Sequence, residues 1–408
     1  VQPTRLFYSN RWKLKSRYLI LLFGLLQLSR ADVLHIDPYA QWTFDTPLEQ
    51  VIYRSHTSGF PIMYTLTKDK ISYYDSLGNN VIKIARSQND VFKINADHSH
   101  FMLIQENESI QASNPQRIYS FQVYDFLGSP EYTLVHGVSL GGGELNSTLT
   151  NQGSIILYQD DEPWILELSN EDTLLFLESV IPTDQDDCEI KLVLDQLVNR
   201  NEFITASSCI SNTEADSSAF IDLHLWNHNK LLAEPVNIQG RLVGLEAIPA
   251  TDYYFLEIYD GYESGLTLFN REKIMGHFPW KTWEINSLGR EAAFVISEND
   301  FNVVNLGDGS VISSYHPIDM STISDADYLP RWGLFLYIRY EPYFTEDGVQ
   351  AYRKFELEGV SKTGQIAHRS SFGSWTTTLP KLSQIGKDLF AIHMHNAVLL
   401  YRVELEEE

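Results

Sequence analysis

Cysteine is almost absent from this chain of 408 residues: there are two, Cys188 and Cys209. Neither has the spacing of a thiolate metal site, and no histidine or other base sits beside either one. Thiol-ligated zinc and a cysteine nucleophile therefore have no support. Helical periodicity is missing too. No heptad, coiled coil or long amphipathic stretch can be found, so helix content should be very low. Positive charge is scarce, with 30 Lys+Arg against 54 Asp+Glu and a net charge of −24. Binding nucleic acid means neutralising phosphates with Lys and Arg, so this balance argues against a nucleic-acid partner. It argues equally against docking on an anionic membrane surface. Phosphate cradles and serine-hydrolase elbows are missing. Gly141-Gly142-Gly143 lacks the Gly-Lys-Ser/Thr ending, and no Gly-x-Ser-x-Gly occurs.

What is present is a recurring β unit. In KISYYDSLGNNVIKIAR, Lys70 to Arg86, two β-branched and aromatic runs flank Asp75-Ser76-Leu77-Gly78-Asn79-Asn80. Asp and Asn bond back to the local backbone and Gly accepts positive φ, so the chain reverses here. Tyr74-Asp75-Ser76-Leu77-Gly78 returns fifty residues later as Tyr124-Asp125-Phe126-Leu127-Gly128. Looser copies follow along the chain, each preceded by an apolar strand. Those strands are 60–64, 101–104, 154–158, 203–206, 253–258, 292–296, 333–338 and 389–394. Eight starts, roughly 40–55 residues apart, match the period of propeller blades. The expected fold is all-β, a single β-propeller of eight four-stranded blades, with seven as the alternative.

The chain ends bear on how the ring closes. Arg5, Arg11, Lys13, Lys15 and Arg17 precede an apolar core, Tyr18 to Leu28, too short for a comfortable span. Ser29-Arg30-Ala31 then offers a signal-peptidase site. The expected division is a signal peptide over 1–31, cleaved after Ala31, and a propeller domain over 32–408; an uncleaved anchor is the alternative. Removing 1–31 takes away six basic residues and leaves a net charge of −30. Asp32–Phe44 alternates as a strand with no partner nearby, while the last blade, 379–405, lacks a fourth strand. Pairing the N-terminal strand with Ala397–Leu405 closes the ring.

Two stretches carry a family resemblance. Phe301-Asn302-Val303-Val304-Asn305-Leu306-Gly307-Asp308-Gly309-Ser310-Val311-Ile312 resembles a blade of the quinoprotein-like propellers. Ser287-Leu288-Gly289-Arg290-Glu291-Ala292-Ala293-Phe294-Val295-Ile296-Ser297 is similar to the polar turn and apolar strand of WD-repeat and related exported bacterial propellers. The resemblance spans nearly the whole mature chain at superfamily level. The Trp-Asp and Gly-His signatures of WD repeats are missing, as is the quinoprotein docking motif, so it implies no quinone site.

Candidate chemistry is sparse. His98/His100 and His393/His395 are His-x-His pairs, and alternate residues of a strand share a face. Either pair could hold two corners of a zinc or copper site, though a third ligand is needed. Three carboxylate runs, Asp160-Asp161-Glu162, Asp184-Gln185-Asp186-Asp187 and Asp325-Ala326-Asp327, offer hard oxygens suited to calcium. Asp184, Asp186 and Asp187 are the best placed of these, but no run fits an EF-hand loop, and a solvated face is the default. No cofactor is expected. Cys188 and Cys209 flank a predicted hairpin with its turn near Val198-Asn199. Placed opposite each other there, they would form a disulfide. Trp280 and Trp283 read as blade packing.

The expected function follows. It is a non-enzymatic binding or scaffold propeller, exported to the periplasm, cell surface or exterior, and engaged with a protein partner in the envelope or at the surface. The alternatives are a metal-dependent hydrolase or lyase working at the central channel and a structural subunit of a surface assembly.

Overall fold

The computed structural model describes residues 34–405 except 55–61, 76, 96–98, 110–115, 140–144, 151, 160–161, 169–174, 178–187, 198–201, 212–219, 228–229, 233–235 and 249–250. The signal peptide expected over 1–31 lies outside the described residues. Eight antiparallel sheets follow one another along the chain. Blade 1 comprises Gln50–Arg54, Ile62–Thr67, Lys70–Tyr74 and Asn80–Ala85. Blades 2 to 7 occupy 91–139, 145–177, 188–239, 241–278, 282–315 and 323–376. In blade 4 the outermost position is split between Lys230–Leu231 and Val236–Gln239, which both pair with Phe220–Asn227. The helical content among the described residues is one 3-10 turn, Met320–Thr322.

Blade 8 closes the ring. It takes Lys381–Gln384, Leu389–Met394 and Ala397–Leu405 from the C-terminal end, and Leu34–Thr43 as its outermost strand. The register runs from Leu34 opposite Leu405 to Thr43 opposite Ala397, with a bulge between Pro38 and Ala40. Proline, which has no N–H to give, is tolerated on this edge strand. The second strands expected from sequence all form, and so does the closing pair.

The strands read as near-continuous apolar runs because each blade is covered on both faces. Period-2 alternation divides each run between two neighbours. Phe101 and Leu103 pack toward blade 1, whereas Met102 and Ile104 pack toward blade 3. Leu334, Leu336 and Ile338 meet blade 8, while Phe335 and Tyr337 meet blade 6. The buried core thus divides into clusters, one at each of the eight blade junctions, ending with Val51 and Met63 of blade 1 against Ala391, Val398 and Leu400 of blade 8. Trp280 takes part in this packing, stacked on Phe278 at 4.5 Å between ring centroids.

The repeated turn is a physical unit. Asp75 Oδ1 accepts from the amides of Leu77 and Asn79, and Asp125 Oδ1 from those of Leu127 and Ser129. Gly78 and Gly128, at φ +80° and +79°, close the two turns onto the Asp75 and Asp125 carbonyls. Thr150, Thr345 and Ser361 build the same turn with a hydroxyl in place of the carboxylate.

The expected disulfide is corrected by the register of blade 4. Cys188 stands opposite Ser211, and Cys209 stands opposite Ile190. Leu197 faces Glu202, which sets the register one step beyond the one that a turn at Val198-Asn199 would give. That step slides the partner by two residues. The cysteines become diagonal neighbours, about 7–8 Å apart by strand geometry, beyond the span of an unstrained bridge.

Candidate functional site

The described histidines of the two His-x-His pairs each meet partners other than a metal centre. His98 lies outside the described residues. His100 Nδ1 is 2.8 Å from Ser99 Oγ, and its Nε2 is 3.4 Å from Glu131 Oε2. On blade 8, His393 Nε2 is 3.1 Å from Ser383 Oγ, and its ring meets Tyr53 edge-on at 5.7 Å. Burial, with a smaller effect of Lys381, pushes the His393 pKa down to about 4, so the ring is neutral at pH 7. His395 lies in the next turn, 3.5 Å from Thr378 Oγ1, and its carbonyl accepts from the Leu48 amide. The two rings of this His-x-His pair serve different partners. Asp184, Asp186 and Asp187 lie outside the described residues. Among the described residues, no group of three or more His, Cys, Asp or Glu is arranged to hold a metal ion.

The carboxylates of Asp325-Ala326-Asp327 sit in a strand, not on a loop. They belong to Ile323–Leu329, the innermost strand of blade 7, and both are buried. Two residues apart, they share a face, and that face looks along the channel wall to blade 8. Asp325 Oδ2 accepts from the Leu382 amide at 2.8 Å, and Asp327 Oδ2 from the Gln384 amide at 2.6 Å. An inner strand is a sheet edge whose backbone groups otherwise lack protein partners. The same device joins other blades. Asp195 Oδ2 takes the Ala247 amide at 2.7 Å, Lys191 Nζ gives to the Val243 carbonyl at 2.6 Å, and Lys93 Nζ gives to the Ser147 carbonyl at 2.5 Å.

This wall concentrates negative charge. Burial, then Glu284, raises Asp325 to about 7, against the opposing pull of Lys381 and two amides. Asp327 also rises to about 7, chiefly through burial. Glu246 of blade 5 keeps an exposed surface, yet the protein crowded around it, then Asp195 and Glu284, raises its pKa above the usual carboxylate value. A cavity of about 300 Å3 lies between the inner strands of blades 6, 7, 8 and 1, lined by Glu284, Asn286, Asp327, Gln384 and Tyr53. No sequence motif marks Glu246, Glu284 or Tyr53. The legible signal is Asp-x-Asp inside an apolar strand, a position where carboxylates are costly unless bonded.

Blade 7 offers a second feature. Its strands Leu334–Phe344, Gln350–Ser361 and Ile366–Thr376 run longer than the blade core requires. The extension exposes Phe344 at 72%, Trp375 at 58% and Val349 at 52%. Glu341, Arg353 and Trp375 lie in cross-strand register on one face. Arg353 bonds Glu341 Oε1 at 2.6 Å and covers the Tyr343 ring at 5.0 Å. Tyr340 and Tyr352 pack edge-to-face at 5.2 Å, which stiffens the base. Read from sequence, 341–350 is only a polar excursion, because the aromatic residues on the flanking strands blend with core.

No protein-family model matches the chain, and a search of curated proteins gives no match. Solved structures do match. The WD40 domain of SCAP from fission yeast aligns with a TM-score of 0.53 at 9% identity, covering 90% of this chain and 98% of that one. The Dos1 propeller aligns at 0.49 with 10% identity, covering 90% and 95%, and the Cps50 (Swd1) propeller of Myceliophteria thermophila at 0.47 with 8% identity, covering 91% and 100%. The first of these likenesses, together with the eight sheets, shows the fold to be an eight-bladed β-propeller.

Proposed function

We propose that this chain is a non-enzymatic interaction propeller that docks a protein partner on the extended sheet of blade 7. The observation that carries the reading is the exposed Trp375, which shares one face of the extension with Arg353 and Tyr343, together with Phe344 and Val349 exposed at its tip. Large apolar groups grouped on a rigid surface mark interaction sites, and aromatic residues with arginine are enriched at their centres. The inner-strand carboxylates that a channel enzyme would use are engaged with backbone amides of the next blade. The basic and apolar N-terminal segment supports export, and with it a partner in the envelope or at the cell surface. Mass spectrometry of protein from producing cells should then find a chain beginning at Asp32; a retained N-terminus removes the cleaved-signal part of the proposal.

The test of docking is in-cell cross-linking followed by affinity capture, comparing wild type with the double variant Phe344→Ser, Trp375→Ser. One dominant partner, lost from the variant, is the expected result. An unchanged partner set, or a ladder of the chain with itself, contradicts the reading.

A further inference from the structure

The charge along the channel wall is unbalanced around a space that is not filled by protein. Glu284 and Asp327 line the cavity of about 300 Å3. Glu284 acts on Asp325, Asp327 and Glu246, and Asp195 adds to the field at Glu246. Against this field, Lys381 acts on Asp325. A second observation is independent of charge. Tyr53 lines the same cavity, and its hydroxyl is buried without a hydrogen-bond partner. A buried polar group left unpaired is destabilising, which an occupant carrying N–H groups would relieve.

We infer that this cavity binds an organic cation, an alkylammonium or guanidinium group. A metal ion needs several oxygens converging on one point at about 2.3–2.6 Å, and no three of the described acidic or imidazole side chains converge in that way. An organic cation spreads its donors, so it can satisfy separated carboxylates, the Gln384 and Asn286 amide oxygens and the Tyr53 phenol together. Of the titratable groups, Glu284, Asp327 and Tyr53 line the cavity; Asp325 and Glu246 feel Glu284, Asp195 acts on Glu246, Lys381 acts on Asp325, and the neutral His393 touches Tyr53 and Ser383. An entering cation favours the ionised carboxylates, so binding near neutral pH releases protons. The inference does not depend on blade 7 docking. The cation's source is either a free amine or a basic side chain of a polypeptide.

Titration calorimetry on the full chain tests it, with agmatine, N-acetyl-arginine methylamide, its neutral citrulline counterpart and calcium chloride as probes. Both cations should bind at pH 7, with an enthalpy that changes between buffers of different ionisation heat. Tighter agmatine would identify a free amine, and a tighter arginine derivative a polypeptide side chain; either supports the inference. Glu284→Gln, which keeps shape and removes charge, should weaken binding about tenfold, worth one ion pair of about 1.4 kcal/mol. Tyr53→Phe should weaken it less, and Val135→Ser, on the outer strand of blade 2, not at all. Failure of both cations to bind at millimolar concentration would overturn the inference. So would binding unchanged in a folded Glu284→Gln, equal binding of the citrulline derivative, or displacement of agmatine by an equal concentration of calcium.

Discussion

At the scale of single residues, the turns and the channel wall carry the clearest consequences. Gly128 has φ +79°, and a Cβ there would stand 2.9 Å from Ile82 Cγ2 of blade 1. Gly289 has φ +91°, with nothing within 4 Å of its Cβ position. Both substitutions to alanine meet the cost of left-handed backbone, about 1–2 kcal/mol, but only Gly128→Ala also pushes on a neighbouring blade. Urea midpoints should therefore fall further for Gly128→Ala than for Gly289→Ala. The first part of this was legible, since Tyr-Asp-x-Leu-Gly recurs and its glycine has a stated backbone role. The contact with Ile82 was not, because it joins residues of different blades.

Asp325 and Asp327 make stability depend on pH. Their folded pKa values lie above the unfolded value, so they hold protons in the folded state that the unfolded chain has released. Their contribution is complete below about pH 4 and is lost as pH rises through about 7. His393 acts in the opposite direction. Its folded pKa is depressed to about 4, so its contribution is present above about pH 6.5 and fades as pH falls toward 4. Asp327→Asn keeps an acceptor for the Gln384 amide and should flatten the loss of thermal stability between pH 5 and 8. Asp327→Ala leaves that amide without its acceptor and should cost about 1–3 kcal/mol at pH 5. A parallel pH profile in Asp327→Asn would contradict the assignment.

At the scale of elements, blade 7 separates packing from docking. Leu336 is fully buried against blade 8, so Leu336→Ala should cost about 2–5 kcal/mol in denaturant unfolding. Phe344 and Trp375 are exposed, and Phe344→Ser with Trp375→Ser should shift stability by no more than about 1 kcal/mol in total while abolishing partner capture. Strand existence was legible because propeller strands are apolar on both faces and are bounded by Gly, Asn and Asp turns. Register was less so. The two cysteines of blade 4 illustrate it, since moving a hairpin centre by one residue moves each partner by two. Inner strands were also hard to see. Gln50–Arg54 and Lys381–Gln384 are short, and Thr282–Ser287 and Ile323–Leu329 mix apolar with polar residues, because one edge faces the channel.

At the scale of the whole molecule, the ring is closed by pairing residues from opposite ends of the chain. Ile36 of the N-terminal strand is buried in the junction between blades 7 and 8. Ile36→Ala should destabilise by about 2–5 kcal/mol, as much as an interior substitution, despite its place near the start of the domain. This closure was legible as an unpaired strand at one end and an incomplete blade at the other. The channel site was not, since Glu284, Asp327, Gln384 and Tyr53 come from four blades and converge only when the circle is complete.

The central claim, a docking role for blade 7, is tested most directly by a photo-cross-linking residue placed at Trp375 and, separately, at Val135. Val135 is exposed on the outer strand of blade 2, outside the blade 7 extension. The account predicts one dominant protein adduct from position 375 in producing cells and none of that species from position 135. The same adducts from both positions, or none from 375, would contradict it.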